Sequence, residues 1–77
     1  MRLRYYPETD SLYMELAERA AVDSREVAPG VVADYDANGQ LVGLDVDHAS
    51  AVLDLKGIGV DVDVDGKSVG TLRFTMA

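Results

Sequence analysis

Two stretches constrain this chain more than anything else in it: Asp34-Tyr35-Asp36-Ala37-Asn38-Gly39-Gln40-Leu41-Val42-Gly43 and, 27 residues later, Asp61-Val62-Asp63-Val64-Asp65-Gly66-Lys67-Ser68-Val69-Gly70. Each carries apolar residues on both sides of a short polar pair, Asn38-Gly39 or Asp65-Gly66. Such pairs close two-residue β-hairpins, because both central residues of that turn need positive φ, which Asn, Asp and Gly reach at least cost. The same oxygens also fall at the spacing of an EF-hand loop, which takes ligands at positions 1, 3, 5 and 12 and Gly at 6. Extended chain reversing at the dipeptide and chain wrapped around a cation are incompatible, so the flanks must decide.

The first repeat offers Asp34, Asp36, Asn38, Gly39 and then Asp45 at position 12, while the second has Leu72 there and no oxygen. An EF-hand needs a helix on each side. Val31-Val32-Ala33 and Gln40-Leu41-Val42-Gly43-Leu44 are instead rich in β-branched residues, interrupted by Gly and alternating with period two. A hairpin is the expectation. Asp34, Asp36, Asn38 and Asp45 are then the residues that an alternative, weak calcium-binding protein would use. Their more ordinary role is a solvated row of charges that protects a sheet edge from aggregation.

Hairpin registers follow from the same alternation. Residues 1–17 pair with numbers summing to 17, placing Leu3 and Tyr5 on one face with Leu12 and Met14. The opposite face sets Arg4 beside Tyr13, a cation–π geometry, and Arg2 beside Glu15, an ion pair. Residues 31–46 pair with a sum of 77, so Val31, Ala33 and Tyr35 share a face with Val46, Leu44 and Val42. Residues 58–74 form a last hairpin about Asp65-Gly66. There Val60 and Val62 face Thr71 and Val69, but Leu72 and Phe74 fall on the other side, which requires a bulge, a different turn length or a second buried surface. Ala17 to Asp23 reads as a loop entering a short strand, Ser24 to Ala28, before a turn at Pro29-Gly30. One short helix falls near 47–54 with Asp47 as its N-cap. The fold class is α+β, mainly antiparallel sheet, and Tyr5, Leu12, Met14, Tyr35, Val42 and Leu44 are the expected core.

With 77 residues, the chain is one domain, 1–77, near the lower size limit for a self-sufficient core, and oligomerisation would help it. Fourteen acidic against 7 basic residues give a net charge of -7, whose field repels phosphate backbones, so nucleic acid is not an expected partner. No apolar run approaches the roughly 20 residues a membrane helix needs, and Met1-Arg2-Leu3-Arg4 leads into a strand, so a cytoplasmic location is expected. Zero cysteines remove disulfides, thiolate chemistry and most zinc sites.

Catalysis finds little to work with. Asp34, Asp36 and Asp45 lack an evident pocket that would exclude water and drive their pKa values apart. His48 is the only histidine, with no cysteine or second histidine to join it at a metal, and reads as a surface residue. Ser11, Ser24, Ser50 and Ser68 sit in turns or near caps without a nucleophile elbow. No Gly-rich or basic loop cradles phosphate, so no enzyme activity, cofactor or small-molecule substrate is expected.

Leu3-Arg4-Tyr5-Tyr6-Pro7-Glu8-Thr9-Asp10-Ser11-Leu12-Tyr13-Met14, the run Gly30 to Val46, and Ala49-Ser50 together resemble the domain of unknown function 2283 family of short prokaryotic proteins. The family pattern is a tyrosine strand, an acidic turn, a Leu-Tyr strand, a segment like Gly30 to Val46 and an Ala-Ser after it. The resemblance covers residues 1–53 and implies a small α+β domain with an antiparallel sheet and no established activity. Residues 58–74 depart from the usual family ending. Some relatives are encoded beside small toxin-like proteins, so the resemblance also implies an antitoxin-like role as an acidic partner of a basic protein. Asp34, Asp36, Asp61 and Asp63 would supply its charge.

The expected function is protein association, most simply a homodimer joining sheet edges or apolar faces. Tyr6, Tyr13 and Phe74 are the contact candidates.

Overall fold

The computed structural model describes residues 1–75. Seven strands and one short helix follow in the order β1 (Arg2–Tyr6), β2 (Ser11–Glu15), β3 (Asp23–Ala28), β4 (Val31–Tyr35), β5 (Leu41–Val46), α1 (Ala49–Val52), β6 (Gly57–Val64) and β7 (Lys67–Thr75). The first five form one antiparallel sheet in the order β1-β2-β5-β4-β3, and β6 and β7 pair separately as a hairpin. The β1–β2 register, from Arg2 opposite Glu15 to Tyr6 opposite Ser11, is the one its alternation predicts. So is most of the β4–β5 register, from Val31 opposite Val46 to Asp34 opposite Gly43. Matching apolar faces fix both, since a one-residue slip would turn every side chain over.

At the tip of β4–β5 the chain departs from a two-residue turn. The Gly39 N–H donates to the Asp36 carbonyl and the Asp36 N–H to the Gln40 carbonyl, so the loop is Ala37-Asn38-Gly39. Only Gly39 there takes positive φ, at 77°. The extra loop residue shifts Tyr35 opposite Leu41, and a bulge at Val42 restores the register by Asp34 and Gly43. The bulged carbonyl of Val42 accepts the N–H groups of Leu16 and Ala17, at 2.8 and 3.2 Å, as β2 ends beside it.

The last hairpin resolves its own sequence mismatch in a similar way. Asp65 and Gly66 have φ of 52° and 77°, the two-residue turn expected of them. A register shift then leaves Val69 unpaired between Ser68 and Gly70, which brings Val60 opposite Leu72 and Ile58 opposite Phe74. Ile58, Val60, Val62, Leu72 and Phe74 consequently share one face. Gly59, Asp61, Asp63, Thr71 and Arg73 share the other.

The core is small. Leu12, Ala33, Val42, Val46 and Ala49 are the buried hydrophobic residues among those described, and Tyr5, Met14, Val31 and Leu55 pack partly buried around Leu12, Val46 and Ala49. Of the residues expected there, Leu12 and Val42 are buried, while Tyr5, Met14, Tyr35 and Leu44 are half-buried. Leu12, Val46 and Ala49 form one buried cluster where β2, β5 and the helix meet. The helix cap is His48, at φ 52°, in place of the expected Asp47.

Candidate functional site

The polar face of the sheet is organised around Tyr13. Its neighbour across β1 is Arg4, as the register requires, but the phenol leans the other way, over the central strand, and donates to Asp34 Oδ2 at 3.0 Å. It crosses β5 above Gly43, where any Cβ would collide with the Tyr13 hydroxyl. Asp34 accepts a second bond from Ser24 Oγ at 2.6 Å, so three strands are tied through one carboxylate. Burial and the Asp34 carboxylate push the Tyr13 phenol above its ordinary pKa. Arg25 lies 5.3 Å from the Tyr35 ring centre on the other face, a cation–π contact in place of the one expected at Arg4 and Tyr13.

Asp45 stands opposite Tyr13 and Val32 in the central strand. Burial, with the charges of Asp47 and Asp34 behind it, raises its pKa above the usual carboxylate value. Arg2 reaches Glu15 at 3.6 Å, the ion pair that the register predicts.

Asp36 overturns the picture of a solvated charge row at a sheet edge. Strands β4 and β5 are interior, flanked by β3 and β2, and Asp36 is only 7% exposed. One of its oxygens accepts the N–H groups of Asn38 and Gln40, both at 2.9 Å, and the other meets Arg19 Nε at 2.7 Å. The backbone donors, Gln40 first, and the Arg19 guanidinium hold its pKa below the ordinary value against the opposing cost of burial. The carboxylate thus fastens the loop between β2 and β3 to the hairpin tip. Strands flank that tip on both sides, and among the described residues no three His, Asp or Glu side chains gather as a metal ion would require. Asn38 is exposed at the tip, away from Asp45 near the far end of β5.

A second node sits at the opposite end of the sheet. Asp10, at φ 52°, accepts Tyr5 Oη at 2.6 Å, Ser50 Oγ at 2.7 Å and the Ser50 N–H at 3.1 Å. Its backbone carbonyl accepts the Ala49 N–H at 2.9 Å. A residue of the β1–β2 turn therefore caps α1 from 40 positions away, doing what no side chain next to the helix does. Tyr5 first, then Ser50, lower the Asp10 pKa, and Asp10 in turn raises that of Tyr5. Local pattern gives no sign of this link, since its partners lie in separate elements.

The other prominent surface is apolar. Ile58 and Phe74, at the root of the last hairpin, line a 260 Å³ cleft with Leu3, Tyr5 and Leu12 on the apolar face of the sheet. Beyond the root, Val60, Val62 and Leu72 on the same hairpin face are exposed. Of the expected contact residues, Phe74 belongs to this surface, Tyr6 is exposed on β1, and Tyr13 is half-buried in the polar network. Asp61 pairs with Arg73 at 3.1 Å on the hairpin's polar side. His48 is exposed. No helix among the described residues is long and apolar enough to cross a membrane.

Fold and polar nodes define a small antiparallel β-sheet protein whose Tyr5, Asp10, Tyr13, Asp34 and Ser50 side chains are structural ties. The family model described as Protein of unknown function (DUF2283) matches residues 2–50, and the chain belongs to that family. The matched segment holds all five strands of the sheet, the Tyr5–Asp10–Ser50 node and the Tyr13–Asp34 bond, and it ends before β6. No curated protein and no solved structure matches the chain.

Proposed function

We propose that this protein is a non-enzymatic association domain in which the five-stranded sheet is the scaffold and the β6–β7 hairpin is the docking element. The observation that carries the reading is the hairpin's apolar face, where Val60, Val62, Leu72 and Phe74 are 38–59% exposed on a single side. A two-stranded hairpin is marginal in water unless a third layer covers it, so this face calls for a partner. Of the carboxylates that would serve acid–base or metal chemistry, Asp34 is engaged with Tyr13 and Ser24, and Asp36 with Arg19 and backbone N–H groups. An acidic surface for a basic partner is less well supported. Asp34 and Asp36 are tied down on the sheet, and Asp61 is paired with Arg73 on a separate hairpin.

A photo-reactive phenylalanine analogue placed at position 62 tests the reading in the intact cell. Adducts to protein from Val62, and not from Thr71 on the polar face, are the expected result. Absence of any adduct at position 62 would reject it.

A further inference from the structure

We infer that the occupant of this face is a second copy of the chain, packed hairpin on hairpin about a two-fold axis passing near Val60, Val62 and Leu72. This rests on the association reading and adds the partner and the geometry.

The surface area carries the inference. A compact monomer of 8.3 kDa exposes about 4,600 Å². This chain exposes 5786 Å², roughly 1,200 Å² more than that scaling allows. Its radius of gyration is 14.0 Å, against about 11.5 Å for a compact chain of this length. A stable protein–protein contact removes about 800 Å² from each partner, so the excess is of the size that one such interface would cover.

Chemistry and stoichiometry then select the partner. Ile58, Val60, Val62, Leu72 and Phe74 carry no charge, so the face offers nothing that would discriminate a basic or acidic partner. It is self-complementary in the way a two-fold contact requires, with the same residues on both sides. The hairpin needs its cover whenever the chain is folded, and a second copy supplies that cover one to one wherever the chain is made. Two such faces stacked at the usual spacing of about 10 Å make a small β-sandwich. With the axis across the middle of the hairpin, the tip of each arm lies over the root of the other. Val64 then approaches the partner's cleft beside Leu3, Tyr5 and Leu12. The copies meet through uncharged surface, which lets two molecules of net charge -7 associate despite their mutual repulsion.

Sedimentation velocity of the wild-type chain across the micromolar range tests this directly. A concentration-dependent dimer is expected, strengthened by added salt because salt screens like charges. Val62→Glu is expected to weaken it at least about tenfold, and Thr71→Lys on the polar face to leave it intact. Because the chain has no cysteine, Val62→Cys supplies a unique thiol. Mild oxidation should link it into a covalent dimer, whereas Thr71→Cys should dimerise without forming the covalent link, and this readout holds even if Val62→Glu fails to fold. A wild-type chain that stays monomeric throughout, or equal cross-linking from both faces, overturns the inference. Adducts from position 62 to a different protein, with a monomeric purified chain, would reject the second copy and leave the association reading standing. No adduct at all would reject both.

Discussion

Tyr13 reaches Asp34 across an intervening strand, its hydroxyl 3.0 Å from Oδ2, because Gly43 beneath the phenol has no side chain. This bond links β2 to β4 over β5, in addition to the ladders between neighbouring strands. A glycine inside the central strand of a sheet is locally unfavourable, since it has no side chain to pack and loses the most backbone entropy. Here the space it leaves is occupied by the aromatic ring.

Gly43→Ala should therefore force the phenol away from Asp34 and destabilise the protein by about 1–3 kcal/mol, the range for overpacking a filled site. Tyr13→Phe, which keeps the ring and removes the bond, should cost about 1 kcal/mol. Urea unfolding followed by circular dichroism distinguishes them. Equal stability of Gly43→Ala and wild type would show that the ring is free to move.

Asp45→Asn should stabilise the protein at neutral pH. Its folded pKa is raised above 3.8, so the folded state holds the proton more tightly than the unfolded chain. Stability then falls as pH rises through that window, and above it the ionised carboxylate is a constant cost. The variant's advantage should be present at pH 7 and disappear as pH drops to 3.8 and below. Thermal unfolding at both pH values reads the difference, and an advantage that persists at low pH contradicts the assignment.

Asp10 and Asp36 act with the opposite sign. Their folded pKa values lie below 3.8, so the stability they contribute is present above that value and is lost as pH falls through the lowered folded values. Asp36→Asn and Asp10→Asn should each lower stability at pH 7 and flatten the acid limb of the stability profile. Amide exchange should localise the losses. Asp36→Asn would expose the loop held by Arg19, and Asp10→Asn would expose α1. Uniform loss across the sheet in both variants would refute separate local roles.

Ala49 has no exposed surface where α1 meets Leu12 and Val46. Enlarging it to Leu should cost about 1–3 kcal/mol by overpacking. Trimming Val42 to Ala at the bulge should cost about 2 kcal/mol through a cavity. Chemical denaturation midpoints measure both, and a neutral Ala49→Leu would mean that the helix can lift off the sheet.

Much of this architecture is legible in the amino-acid order, because strand pairing is written locally. Alternation with period two fixes the faces of β1 and β2 and most of β4 and β5, and Asp65-Gly66 sets its turn type outright. The family pattern, too, is visible in Leu3 to Met14 and Gly30 to Val46. The three-residue loop at Asn38-Gly39 is not, because Asn-Gly favours a two-residue turn, whereas the Asp36 carboxylate, bonded to the Asn38 and Gln40 N–H groups, holds the longer loop. Tertiary structure likewise decided that Asp36 is buried, that β4 and β5 lie inside the sheet, and that Asp10 caps a helix 40 residues away. Sequence determines which residues want to be extended and on which face. Which strands become neighbours, and so which carboxylates meet partners or stay wet, depends on contacts between distant segments that no local period records.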